Sequence, residues 1–167
     1  FHGFGGRAED LLNDADLRSQ AELRGFILVY PQGVVRNKGA FEWDPAEITQ
    51  GSTLQNNDTY FVQNLLQALS DEYLIDQDRV YATGYSNGGM MSYGLACHLS
   101  NAIASIAVVS GAMLQSTIDG CQPTHPTAVA IIHGTQDRVL PYSGNAYYPS
   151  VASAINYWLN MNQNNIN

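Results

Sequence analysis

Lysine is nearly absent from this chain, Lys38 being the single one, and Asp and Glu outnumber Lys and Arg 15 to 7. With a formal net charge of -8 and a pI near 4.6, it lacks the clustered cations that a phosphate backbone requires, which excludes nucleic acid as a partner. Long apolar runs are missing as well. Phe26 to Tyr30 and Ile103 to Val109, the latter broken by Ser105, are strand-length pieces, far short of the roughly 20 residues that cross a bilayer, so no membrane partner is expected. The opening Phe1-His2-Gly3-Phe4-Gly5-Gly6 has no basic start, apolar h-region or initiating Met, so any export signal would lie upstream. Cysteine is scarce. Cys97 and Cys121 permit one disulfide, and with the acidic, Lys-poor, Asn-rich composition they point to an exported protein, secreted or periplasmic; two buried thiols are the alternative. Histidines and cysteines are scattered rather than set at ligand spacing, so neither a metal nor an organic cofactor is expected.

What is present is enough apolar residue, 45% of 167, to build one domain over residues 1–167. Strand-like apolar runs alternate with stretches of helical period, which reads as α/β with a mainly parallel sheet flanked by helices. Arg7 to Arg24 carries Leu11, Leu12, Ala15, Leu17, Ala21 and Leu23 at helical spacing, and Gly25 separates it from a buried strand over Phe26 to Tyr30. Gln32 to Gln55 reads as a long surface loop. Asn57 or Asp58 caps a helix bearing Phe61, Val62, Leu65, Leu66, Leu69 and Tyr73, and Asp58 is expected to be structural. Further strands are expected at Arg79 to Gly84, Ser105 to Val109 and Ala128 to Ile132, with helices at Asn87 to Leu99 and Val151 to Leu159 before a polar tail.

Gly84-Tyr85-Ser86-Asn87-Gly88 satisfies G-x-S-x-G between an expected strand and an expected helix, the context of the nucleophile elbow of an α/β-hydrolase. The turn is so sharp that small residues two before and two after the serine are needed, and the helix behind it turns free NH groups toward a developing oxyanion. The Asn87 NH is one expected oxyanion donor. His2-Gly3-Phe4-Gly5-Gly6 resembles the loop after the third strand of such hydrolases, which makes the Phe4 NH the second and His2 a loop-structuring residue. Asp137 closes the loop after the strand ending Ile131-Ile132-His133, where an acid that orients a catalytic imidazole belongs; its rival Asp119, before Gly120, is better explained as a turn. Trp43 and Tyr85 are candidate aromatic contacts for a phenolic or sugar ring, with core packing equally open to both.

The expected order in this fold is Ser, acid, His, yet the chain's 4 histidines, His2, His98, His125 and His133, all precede Asp137. The fold also calls for strands before Phe1. Both points make the expectation a fold truncated at both ends, the middle of a larger domain.

Gly25 to Gly33, Ile75 to Met91, and His133 to Asp137 with Pro141-Tyr142 together resemble the polyhydroxybutyrate depolymerase and feruloyl or acetylxylan esterase family, in order and over nearly the whole chain. The resemblance implies a secreted carboxylic ester hydrolase that forms an acyl-enzyme on Ser86 with Asp137 as acid and a histidine supplied downstream, acting on small or polymeric esters such as hydroxybutyrate, feruloyl or acetyl esters. The alternatives are a carbohydrate- or polymer-binding member of the fold that lacks the base, and a peptidase on the same fold.

Overall fold

The structure, a computed structural model, describes residues 1–36 and 39–164. In chain order it runs α1 (Ala8–Asp14), α2 (Arg18–Arg24), β1 (Val34–Val35), β2 (Phe41–Glu42), α3 (Asp58–Glu72), a 3-10 turn at Gln77–Arg79, β3 (Tyr81–Tyr85), α4 (Asn87–His98), β4 (Ser105–Val109), α5 (Gln115–Gly120), β5 (Ala128–Ile132) and α6 (Val151–Asn164). β3, β4 and β5 form a parallel sheet in that order, while β1 and β2 pair antiparallel on their own. Tyr85, Val109 and Ile132 are abreast in the register, so the residues that follow them, Ser86, Ser110 and His133, leave the sheet at one edge.

α4 carries apolar or small residues on every side, the pattern of a core helix rather than a surface one. Met91, Tyr93, Leu95 and Ala96 are buried in one apolar cluster with Ile106 and Val108 of the sheet and Trp158 of α6. Side chains of this size stabilise by about 1.5–3 kcal/mol each when fully buried. α3 is capped as its sequence suggests: the Asn57 side chain accepts the NH of Tyr60 at 2.7 Å. Cys97, at the end of α4, is joined to Cys121, just beyond α5. Among the described residues no helix is long and apolar enough to cross a membrane.

Four expectations change. The helix over Arg7 to Arg24 is two helices, because the Tyr30 hydroxyl donates to the Ala15 carbonyl and accepts the Leu17 NH, while Asp16 takes the Arg18 NH; the middle of the segment is bonded away from the helix axis. Phe26 to Tyr30 is not a strand. Among the described residues no neighbour pairs with it, and Phe26, Ile27 and Val29 are exposed, since β propensity alone makes no ladder. The loop from Gln32 to Gln55 contains the short β1–β2 pair. Finally, α6 continues to Asn164 instead of fraying after Leu159, because Asn162 accepts the Thr127 NH and donates to the Thr127 carbonyl, both at 2.9 Å.

The disulfide closes a sequence separation of 24 residues, so chain entropy assigns it about 3 kcal/mol of stability. Replacing Cys97 and Cys121 together by Ala should lower the urea midpoint with little change in slope, the loss amounting to about 2–4 kcal/mol.

Candidate active site

Ser86 is the sharpest point of the backbone. Its φ of 54° and ψ of -116° are a strained combination for a residue with a Cβ, of a kind that costs about 1–3 kcal/mol and clusters at functional sites. The turn closes because Gly84 and Gly88 are small: a Cβ on Gly84 would lie 2.2 Å from the Gly88 carbonyl, and one on Gly88 would lie 2.2 Å from the Phe1 oxygen. Ser86 donates its own NH to Val109 at 2.9 Å, and the first bond of α4 runs from Met90 N to Ser86 O. The Asn87 NH therefore has no intrahelical acceptor and points out of the helix start, beside a Ser86 hydroxyl with no partner among the described residues. Ser110, abreast of Ser86 at the end of β4, shares the left-handed backbone with a φ of 45°; nothing in the sequence signalled it.

The N-terminal loop is packed on this elbow. Phe1 accepts the Tyr85 NH and donates to the Thr83 carbonyl, which lays it beside β3. His2 is buried, and burial lowers its pKa below the usual histidine range. The neutral ring donates from Nδ1 to the Gly3 carbonyl at 2.8 Å, and its Nε2 accepts the Gly33 NH at 3.0 Å, with the Gln32 amide also 3.0 Å away. Such a ring shapes the loop; its lone pair is occupied. Gly5 and Gly6 spend their NH groups on Phe41 and Gly3, whereas the Phe4 NH is unspent among the described residues.

At the end of β5, Asp137 Oδ1 accepts the NH groups of Val139 and Leu140, each at 2.9 Å. Those two donors, Leu140 first, hold its carboxyl below the usual aspartate range, with His133 adding a smaller push in the same direction. Oδ2 has no hydrogen bond among the described residues. It lies 3.5 Å from Nε2 of His133, which donates to the Leu140 carbonyl at 2.7 Å. The His133 side chain is only 2% exposed and its Nδ1 is without a partner, so the ring braces the acid loop. Asp119 is instead on α5 and takes a bond from Gln115.

The two aromatic candidates part company. Tyr85 is 54% exposed beside Ser86, and Phe4 is 57% exposed on the neighbouring loop. Trp43 is 3% exposed, edge-on to Phe1 at 5.1 Å between centroids, and is packed in the core. Its main chain exchanges two hydrogen bonds with the Asn87 amide, and its indole NH donates to the His2 carbonyl. Behind it, buried Asp58 accepts both terminal nitrogens of Arg36 and the NH of Asp44. Asp58 is structural as expected, but its partners lie 22 and 14 positions away, beyond what a local pattern shows. Of the remaining histidines, His98 ends α4 and His125 precedes β5, at the opposite end of the sheet from Ser86. Among the described residues no group of His, Cys, Asp and Glu is arranged to hold a metal ion.

Residues 1–164 match a family model described as phospholipase/carboxylesterase. Feruloyl esterase D of Neurospora crassa is 40% identical over 105 residues, which cover 62% of this chain and 35% of that protein. The bifunctional acetylxylan esterase/xylanase of Neocallimastix patriciarum is 34% identical over 73% of this chain and 16% of its own length. The Bacillus cereus carboxylesterase structure superposes with a TM-score of 0.67 at 22% identity, covering 98% of this chain and 72% of that one, a likeness of fold. The chain spans less than half the length of the curated relatives it matches.

Burial keeps His2, and likewise His98, below the ordinary histidine value of 6.5. The unfolded chain therefore binds protons first as pH falls through about 6.5, and stability should decline from there toward the depressed folded values, added to a decline that begins nearer pH 8 because burial holds the Phe1 amino group down to about 6. Urea unfolding at pH 7.5, 6.5 and 5.5 checks this; equal stability at all three contradicts neutral, buried rings.

Proposed function

The chain belongs to the phospholipase/carboxylesterase family, and from that premise we propose that it is the core of a serine carboxylic ester hydrolase that forms an acyl-enzyme on Ser86. The observation that carries the reading is the strained Ser86, φ 54°, set between a parallel strand and a core helix with free NH groups behind it. In the first half-reaction a histidine takes the hydroxyl proton, Oγ bonds to the ester carbonyl carbon, and the carbonyl oxygen becomes an oxyanion received by the NH groups of Asn87 and Phe4. Collapse of that intermediate breaks the ester C–O bond, and the histidine passes its proton to the leaving alcohol. Water then repeats the sequence and frees the acid. Asp137 orients the histidine and stabilises the imidazolium; its carboxyl, held below the usual range by the Leu140 and Val139 NH groups, is ionised at neutral pH and keeps Oδ2 unbonded for that purpose.

None of the histidines within the chain is bonded to Ser86. His2 and His133 have their Nε2 atoms engaged, and in this reading the base is a histidine supplied from outside residues 1–167. Substrates are small or polymeric esters of the plant cell wall. Names among the relatives, feruloyl esterase and acetylxylan esterase, support that class, and the exposed aromatics Tyr85 and Phe4 favour a feruloyl ring over acetyl or hydroxybutyrate groups. The Cys97–Cys121 bond supports action in an oxidising compartment, secreted or periplasmic.

The full-length protein should hydrolyse methyl ferulate faster than short acetyl or hydroxybutyrate esters. Ser86→Ala should abolish turnover, and Asp137→Asn should lower kcat by about 10⁴-fold. Hydrolysis that persists in Ser86→Ala overturns the assignment, and tight binding of feruloylated oligosaccharide without any turnover assigns a binding role instead.

A further inference from the structure

We infer that Trp43 is a positioning residue for the oxyanion hole, bracketing with one residue the two loops that supply the donors, Asn87 and the His2–Phe4 turn. The inference rests on the esterase reading above and adds to it the part that holds the hole to shape.

Trp43 reaches each half by a separate route. Its main-chain NH donates to Asn87 Oδ1 at 2.7 Å, and its carbonyl accepts from Asn87 Nδ2 at 3.0 Å. This two-point clamp fixes the residue whose own NH faces the reacting carbonyl. The indole Nε1–H donates to the His2 carbonyl at 3.0 Å, two residues before the Phe4 NH. The ring also lies 5.0 Å from the His2 ring and 5.1 Å from Phe1, so the loop is both bonded and packed against it.

A bracket is useful only if it does not move, and both neighbours of Trp43 are tied. The Glu42 carbonyl accepts from Arg36 Nη1 at 3.1 Å, and the Asp44 NH donates to Asp58 Oδ2 at 2.7 Å. Arg36 and Asp58 are themselves joined by two bonds of 2.8 and 3.1 Å. The buried carboxylate at the start of α3 thereby anchors Trp43 through charge-assisted bonds, the strong kind. Asn87 in turn heads α4, and the His2 loop lies along β3, so the two donors sit on different parts of the chain, and Trp43 is bonded to Asn87 itself and to His2, two residues before Phe4. Oxyanion stabilisation depends on donors held about 3 Å from a point that exists only in the transition state, and a misplacement of about 1 Å can cost roughly 100-fold. Trp43 itself is buried and touches no substrate, so its effect on turnover passes through the two NH groups.

Two variants of the full-length protein test this against simple packing. Trp43→Phe keeps an aromatic ring but removes the Nε1–H. Asn87→Ala removes both bonds to the Trp43 main chain and leaves the Asn87 NH in place. Each should lower kcat on methyl ferulate by about 10- to 100-fold with KM changed less than about threefold. Affinity for an arylboronic acid, whose tetrahedral adduct on Ser86 places an oxygen in the hole, should fall by the same factor as kcat/KM. If Trp43→Phe does not fold, Asn87→Ala decides by the same criteria. Unchanged kcat and boronate affinity with only a lowered Tm would overturn the inference and leave Trp43 as packing. Wild-type protein without Ser86-dependent turnover overturns the esterase reading, and this inference with it.

Discussion

The distance of closest approach between β3 and α4 governs most of what this molecule can do. At Gly84 and Gly88 there is no room for a single methyl group, and that contact forces the chain through left-handed backbone at Ser86. A strained serine persists only where its surroundings over-determine it. Here the surroundings are the Ser86 NH bonded to Val109 on the next strand, the start of α4 driven into the core by Met91 and Leu95, and the Phe1–His2 segment pressed on Gly88. Burial of α4 supplies the free energy, and the strain is its local cost.

Around that point the structure spends its buried polar groups on holding loops. Asp58, His2, Asn87 and His133 are each engaged with main-chain atoms of irregular segments, and Arg36 with the carbonyl that ends β2. This is economical in a chain with few charges: buried polar groups need partners, and loop carbonyls and NH groups need them equally. In the proposed reading the result is a rim of the sheet that holds Ser86, the Asn87 and Phe4 NH groups and the Asp137 carboxylate in place for an ester. Preorganised donors of that kind are the largest contribution to acyl-transfer catalysis in most accounts.

Elements whose stability is local or follows from one repeated pattern were readable in the sequence. β4 and β5 fall at Ser105–Val109 and Ala128–Ile132 as their apolar runs indicate, α4 begins at Asn87 directly after the serine, and Asn57 caps α3. The elbow was readable because its glycines answer a steric demand between residues four apart. Readings failed where the deciding contact is distant. Tyr30 breaks the first helix from 15 residues away, Asn162 extends the last helix by bracketing Thr127 35 residues back, and Phe26 to Tyr30, apolar and β-prone, has no pairing strand among the described residues. Trp43 looked equally suited to a ring contact or to the core; only its bonds to His2 and Asn87, 41 and 44 positions off, decide. Asp137 is the opposite case: its two NH donors, Val139 and Leu140, lie only two and three positions on, in the loop where its position was evident.

The most direct test of the account is a crystal structure of the full-length protein after reaction with an aryl phosphonate ester. The account predicts phosphorus bonded to Ser86 Oγ, with the phosphoryl oxygen about 2.7–3.1 Å from the NH groups of both Asn87 and Phe4. A label on another residue, or a phosphoryl oxygen turned to solvent with those two NH groups unengaged, would contradict it.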